Sequence, residues 1–268
     1  MPIIIMLLSS VAIIAVVKYG LVPGIDRVSS ASGWSLKARG QATGYATSVP
    51  ELVTLVAAGL SGVWDAGLWN IASSNLLNLF LAAAALLYYR RGSDLLDRRF
   101  GNELAFAGLG IAAPLLLMQG GLDTHWVVIP VLLVLFVTYL MLDRGDGELP
   151  EGQAGHEGEG LWSGLTLIGV SLALIMVAGD FLGDSTKDVV QVMGVPAIAA
   201  GWLLGLVTSL PEAVTFFTVF SERRAAGCSD HKAQVQELVD NLAASNMSNS
   251  TLIYPLGLAI YLLGVGLL

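Results

Sequence analysis

Eight stretches of about 20 mostly apolar residues divide this chain, and they constrain its fold more than any other feature. Read from the sequence, they run over 2–20, 40–60, 66–89, 103–120, 124–142, 161–182, 195–219 and 238–258. A helix needs about 20 apolar residues to cross the hydrocarbon core of a bilayer. The other spanning architecture, a β-barrel, needs strands of about ten residues with alternating polarity. The run LNLFLAAAALLYY over 77–89 does not alternate, so helices are expected. Composition agrees: 13% of residues are charged, against about 25% in soluble domains. The expected fold is an all-α integral membrane protein with about eight transmembrane helices.

Positive charge orders these helices across the membrane. Lys18, Arg27, Lys37, Arg39, Arg90, Arg91, Arg98, Arg99, Arg144, Arg223, Arg224 and Lys232 all follow odd-numbered spans, twelve of the 13 Lys and Arg. Lys187 alone falls on the other side. This places the basic loops in the cytoplasm and both termini outside, in a prokaryotic inner or plasma membrane. The segment DRGDGELPEGQAGHEGEG over 143–160 is acidic and Gly-rich and reads as a solvated linker. It separates a first membrane half, 1–142, from a second, 161–268. The net charge of −8 argues against a nucleic-acid partner. The single Cys228 excludes an internal disulfide.

Two of the apolar stretches carry the same polar insertion. GYATSVPE occupies 44–51 and GLVTSLPE occupies 205–212. Each is followed by a second matched motif, NIASSNLLN over 70–78 and NLAASNMSN over 241–249. Asn70, Ala72, Ser74, Asn75 and Asn78 align with Asn241, Ala243, Ser245, Asn246 and Asn249. The repeats cover about 40–89 and 195–258. Given the charge count, the first TSVPE helix runs from inside to outside and its copy runs the other way. The repeats are therefore inverted, an arrangement typical of secondary transporters with sites on interrupted helices near the midplane.

The chemistry of the motifs points to a hard cation. Pro50 and Pro211 lack an N–H and clash with the turn before them, which frees backbone carbonyls inside the membrane. Gly44 and Gly205 allow local unwinding or close helix approach. Thr47, Ser48, Thr208 and Ser209 supply hydroxyls, Asn78 and Asn249 amide oxygens, and Glu51 and Glu212 charge. A charge at the centre of a spanning helix costs about 2.5–3.5 kcal/mol on insertion scales. The structural alternative is that each glutamate pairs with a base such as Lys37 or Arg39. Those bases lie about three turns before Glu51, nearer the cytoplasmic surface. Ser74 and Asn78 share one helix face, as do Ser245 and Asn249. Oxygen donors without Cys or His suit Ca²⁺, which takes about 6–8 oxygens. Two carboxylates balance one Ca²⁺, two Na⁺ or two protons.

These residues resemble the α-repeats of the sodium/calcium exchanger family, within the cation/Ca²⁺ antiporter superfamily. The resemblance is specific over about 45 residues in each half and elsewhere rests on topology. It implies that Glu51 and Glu212 bind Ca²⁺ with the carbonyls of Thr47 and Thr208, and that Asn78 and Asn249 complete the centre. It implies Na⁺ sites at Ser48, Ser74, Ser209 and Ser245 with the carbonyls of Gly44 and Gly205. Ca²⁺ and Na⁺ are then cargo, and no cofactor is expected. Both central amides are Asn where several members carry one Asp, and Trp69, Asp240, Ala46 and Val207 stand at family glycine positions. The usual ten-span arrangement would also need two helices beyond the 19 residues that follow Asn249. Expectations at this point are a minimal exchanger, a homodimer covering the exposed face, or a membrane component that kept the fold without transport. Proton-coupled exchange of Ca²⁺ or another divalent cation is the alternative within transport.

Other polar residues read as structural. His125, His156 and His231 fall in loops without ligand spacing. Arg90, Arg91, Arg98 and Arg99 suit an interface with anionic lipid. Trp34, Trp64, Trp126 and Trp162 lie near span ends and suit aromatic belts. Asp180, Asp184 and Asp188 form an i, i+4, i+8 series on a solvated face, with a cation-attracting vestibule as the functional alternative. The last span is expected to bend near Pro255 or Gly257. No nucleophile–base pair or phosphate loop indicates an enzyme.

Overall fold

The structure is a computed structural model that describes residues 1–33, 45–46, 48–97, 100–142, 160–213, 216–217 and 231–267. Its helices are α1 (Pro2–Val16), α2 (Val22–Ala31), α3 (Val49–Leu60), α4 (Trp64–Tyr88), α5 (Gly101–Gln119), α6 (Val128–Leu142), α7 (Leu161–Lys187), α8 (Ala197–Thr208), α9 (His231–Ser248) and α10 (Tyr254–Leu267). π-helical turns over Val17–Leu21 and Asn249–Ile253 join α1 to α2 and α9 to α10, and a third over Asp188–Val192 extends α7.

Five of the resulting helices are long and apolar enough to cross a membrane: Pro2–Ala31, Trp64–Tyr88, Gly101–Gln119, Leu161–Val192 and Leu238–Val265. The shorter apolar helices are Val49–Leu60, Val128–Leu142 and Ala197–Thr208. Each of these eight segments overlaps one of the eight apolar stretches of the sequence, though Pro2–Ala31 and Leu161–Val192 run about ten residues further than expected. Large apolar side chains face outward along them, for example Val131, Val134 and Val137 on α6 and Val170, Leu174, Val177 and Phe181 on α7. The buried interior instead holds many polar residues, among them Asn70, Ser74, Asn75, Asn78, Thr208, Asn246 and Asn249. In water this distribution would be costly; in lipid it is the favourable one.

The first helix departs from expectation. It continues to Ala31 rather than ending near residue 20. Pro23 falls in the first turn of α2, directly after the π turn, where its missing N–H is tolerated. This long helix packs along α7. The last helix stays continuous past Pro255, with a π turn over Asn249–Ile253 just before it, and π turns and prolines are both sites where helices bend. Trp64 corrects the aromatic-belt expectation: it is buried, and its ring stacks on Tyr261 at 4.6 Å between centroids. Trp126 and Trp162 are exposed, as belt residues are. Trp34 lies outside the described residues.

The two repeats interlock. Helix α4 of the first packs most extensively on α8 of the second, and α10 of the second packs on α3 of the first. Glycines allow the closest approach: a Cβ on Gly201 would fall 2.8 Å from Ala66 O and 2.9 Å from Asn70 N, besides striking Trp69 Cβ. A Cβ on Gly205 would strike Ser73 Oγ and lie 3.1 Å from Asn70 O. These two small residues, one turn apart on α8, bring its backbone against α4. The Ser73 hydroxyl then reaches Gly201 O across the contact, at 3.1 Å. This is the small-xxx-small packing of membrane helices.

Candidate functional site

Helix α4 is apolar at its two ends and polar in its middle. Leu68 and Ile71 join one apolar cluster, and Ala82, Ala85 and Leu86 join another. Asn70, beside Ile71, and Ser74, Asn75 and Asn78, between the two clusters, are all buried. Over 25 residues the helix spans about 38 Å, which places this polar band near mid-membrane.

The two TSxPE motifs deliver their side chains to this band through matched interruptions. Helix α3 starts after Ser48, which stands at φ −87°, ψ 1°. Helix α8 ends at Ser209, at φ −82°, ψ 2°. Both serines thus sit in the sparsely populated bridge region, two residues ahead of Pro50 and Pro211. Glu51 and Glu212 follow each break, with exposures of 0% and 6%. They lie within electrostatic reach of one another. The Thr208 hydroxyl is beside Glu51 and the Ser245 hydroxyl beside Glu212. Yet among the described residues none of the four carboxylate oxygens has a hydrogen-bond partner of good geometry.

The asparagines are held the other way round: their donors are tied and their acceptors free. Asn78 Nδ2 donates to Ser245 Oγ at 3.0 Å and, at longer range, to Asn246 Oδ1 at 3.4 Å. Asn249 Nδ2 donates to Asn75 Oδ1 at 3.0 Å. The Oδ1 atoms of Asn78 and Asn249 are buried and unpartnered, and so is Ser209 Oγ. Thr208 bridges to the first repeat, donating to Asn70 Oδ1 at 3.2 Å and meeting Ser74 Oγ at 3.1 Å. A buried polar group without a partner costs about 1–3 kcal/mol, and more if charged. Six such acceptors on Glu51, Glu212, Asn78 and Asn249 therefore concentrate negative potential that a cation or a proton would offset; Lys37 and Arg39, the bases weighed as structural partners of the glutamates, lie outside the described residues.

Of the expected site residues, Glu51, Glu212, Ser48, Ser209, Ser74, Thr208, Asn78, Asn249 and Gly205 are buried, and Ser245 is half-buried. Gly44 and Thr47 lie outside the described residues. Three participants went unassigned at the level of sequence. Asn75 and Asn246 were visible there as an aligned pair but carried no role; their bonds cross between repeats, which motif spacing cannot reveal. Thr54 follows Glu51 by one turn, is buried, and its hydroxyl is unpartnered. Its signal was present, since Thr215 stands at the matched position after Glu212. The Asp180, Asp184 and Asp188 side chains are exposed.

Fold and centre together define an α-helical, multi-pass integral membrane protein built from two repeats around a buried polar middle. The chain belongs to the sodium/calcium exchanger protein family, whose model matches residues 2–143 and 163–265. Cation/Ca²⁺ exchange transport is the activity this membership suggests. No curated protein and no solved structure matches the chain.

Proposed function

We propose that the protein exchanges Ca²⁺ for Na⁺ across a membrane by alternating access, with Glu51 and Glu212 sharing one Ca²⁺. The observation that carries this reading is the pair of buried carboxylates, with no well-formed hydrogen bond among the described residues, together with the unpartnered Oδ1 atoms of Asn78 and Asn249. Two carboxylates neutralise one divalent ion, and an isolated buried charge would be prohibitive. The carbonyls of Thr47 and Thr208 complete the oxygen set. Ca²⁺ accepts such a set at flexible geometry. Na⁺ ions take the serine positions, Ser48 and Ser74 on one side and Ser209 and Ser245 on the other, with the carbonyls of Gly44 and Gly205. A hydroxyl keeps acceptor capacity while it donates, so the Ser74–Thr208 bond does not withdraw Ser74 from that role. Exchange follows because two Na⁺ balance the same two carboxylates as one Ca²⁺.

Proton coupling is the competing reading, favoured by the same missing partners, since a proton on each carboxyl also removes the charge. Purified protein in proteoliposomes separates the two. Ca²⁺ uptake driven by an outward Na⁺ gradient, with no uptake under a pH gradient, supports Na⁺ exchange. The reverse result supports proton exchange. Uptake under neither gradient, from protein that is folded and inserted, contradicts both and favours a membrane component that does not transport.

A further inference from the structure

The site asparagines are each held by a residue of the other repeat. Asn249 Nδ2 donates to Asn75 Oδ1 at 3.0 Å, and Asn78 Nδ2 reaches Asn246 Oδ1 at 3.4 Å and Ser245 Oγ at 3.0 Å. Neither inner asparagine is free to turn. Asn75 Nδ2 donates to Gly110 O at 3.0 Å and to Ser250 Oγ at 2.8 Å, with Asn246 O at 3.5 Å. Asn246 Nδ2 donates to Asn75 O at 3.2 Å and to Ala107 O at 3.3 Å. Both are fully buried. Helix α5, which carries neither repeat motif, thus supplies the carbonyls of Ala107 and Gly110 that anchor both amides. It can do so because Gly110 has no side chain: a Cβ there would lie 2.7 Å from Asn246 O.

An amide is planar, so fixing its nitrogen fixes its oxygen. With Nδ2 pointed at a partner in the opposite repeat, the Oδ1 of Asn249 and of Asn78 must point away from it. Both of these oxygens are the buried, unpartnered ones. We infer that Asn75 and Asn246 are positioning residues, each orienting the cation-facing oxygen of the asparagine in the other repeat through amides anchored on α5. This rests on the cation-site reading of Asn78 and Asn249. It adds a rule that reading does not contain: the couplings run crosswise, Asn75 with Asn249 and Asn246 with Asn78. The first is the stronger, because among the described residues the Asn249 Nδ2 donates to Asn75 alone, whereas the Asn78 Nδ2 also has Ser245.

The test is a set of double-mutant cycles read as the half-saturating Ca²⁺ concentration for transport by full-length protein in proteoliposomes. Asn75→Ala should raise it about tenfold in the wild-type background, and less than about twofold when Asn249 is already Ala. Coupling of this size is usual for residues in direct contact. Against Asn78→Ala, which lies on its own helix, the effect of Asn75→Ala should persist. Asn246→Ala should show the mirror pattern with a smaller coupling. Ser250→Ala, which removes only one anchor of Asn75, serves as the milder probe should Asn75→Ala not fold. Its smaller shift should likewise vanish in the Asn249→Ala background. Shifts that simply add in the crosswise pairs, or that are absent, overturn the positioning role while leaving the cation site standing. Wild-type protein with no saturable Ca²⁺ transport overturns the site reading itself, and the positioning role with it.

Discussion

Thr208 and Asn70 are 138 residues apart in sequence and 3.2 Å apart in space, joined by a hydrogen bond from the threonine hydroxyl to the asparagine Oδ1. The same hydroxyl meets Ser74 Oγ at 3.1 Å. One side chain of the second repeat therefore ties two consecutive turns of the first, directly beside Glu51. Thr208→Val keeps the shape and deletes the hydroxyl. It takes from the buried Asn70 Oδ1 the donor it has among the described residues, at a cost of about 1–3 kcal/mol. Thermal unfolding in detergent should show a lower midpoint, and Ca²⁺ transport should fall. Thr208→Ser, which restores the hydroxyl, should recover most of both.

Gly201→Ala should be more damaging than a methyl group ordinarily is. The new Cβ meets Trp69 Cβ and the backbone at Ala66 O and Asn70 N, none of which can rotate aside. Helices α4 and α8 must separate, and the Ser73–Gly201 and Thr208–Asn70 bonds lengthen together. Overpacking of this kind costs about 1–3 kcal/mol. Gly169→Ala is the control, because a Cβ there meets nothing within 4 Å. Equal unfolding midpoints for the two variants would contradict the close α4–α8 contact.

Much of this was legible in the sequence, for identifiable reasons. The eight segments follow from apolar length, which lipid enforces more strictly than water does. The breaks at Ser48 and Ser209 follow from Pro50 and Pro211, whose chemistry is local. The burial of Glu51, Glu212, Asn78 and Asn249 follows from their repetition inside apolar stretches. What stayed hidden depends on tertiary partners. Residues 21–31 read as a loop because they contain Pro23, Gly24, Asp26 and Arg27; packing of α2 against α7 keeps them helical. Trp64 read as an interfacial anchor because it opens a span, and only the neighbouring ring of Tyr261 shows why it is buried. The roles of Asn75 and Asn246 required knowing which carbonyls of α5 they meet.

Topology offers a prediction independent of the site. The distribution of Lys and Arg predicts that Cys228, which follows the seventh apolar stretch, faces the cytoplasm. As the only cysteine, it reports without further engineering. A membrane-impermeant thiol reagent should modify it in inside-out vesicles and not in right-side-out ones. Modification from the outside would reverse the assigned orientation.

Central to the proposed function is a single ion shared by Glu51 and Glu212. Glu51→Gln and Glu212→Gln each keep size and an acceptor oxygen but remove one charge. The remaining carboxylate cannot balance a divalent cation in a low-dielectric centre, so either change alone should abolish Ca²⁺ transport. The double variant should then be no worse than the singles, as for residues that work as a unit. Asn78→Ala and Asn249→Ala, which lose a neutral ligand that water can replace, should be milder. The direct measurement is initial Ca²⁺ flux, with Ca²⁺ affinity, for these five variants in matched proteoliposomes. Loss of flux in both single Gln variants, with no further loss in the double, is the expected result; substantial flux in both singles, or affinity losses that add, would contradict a shared ion.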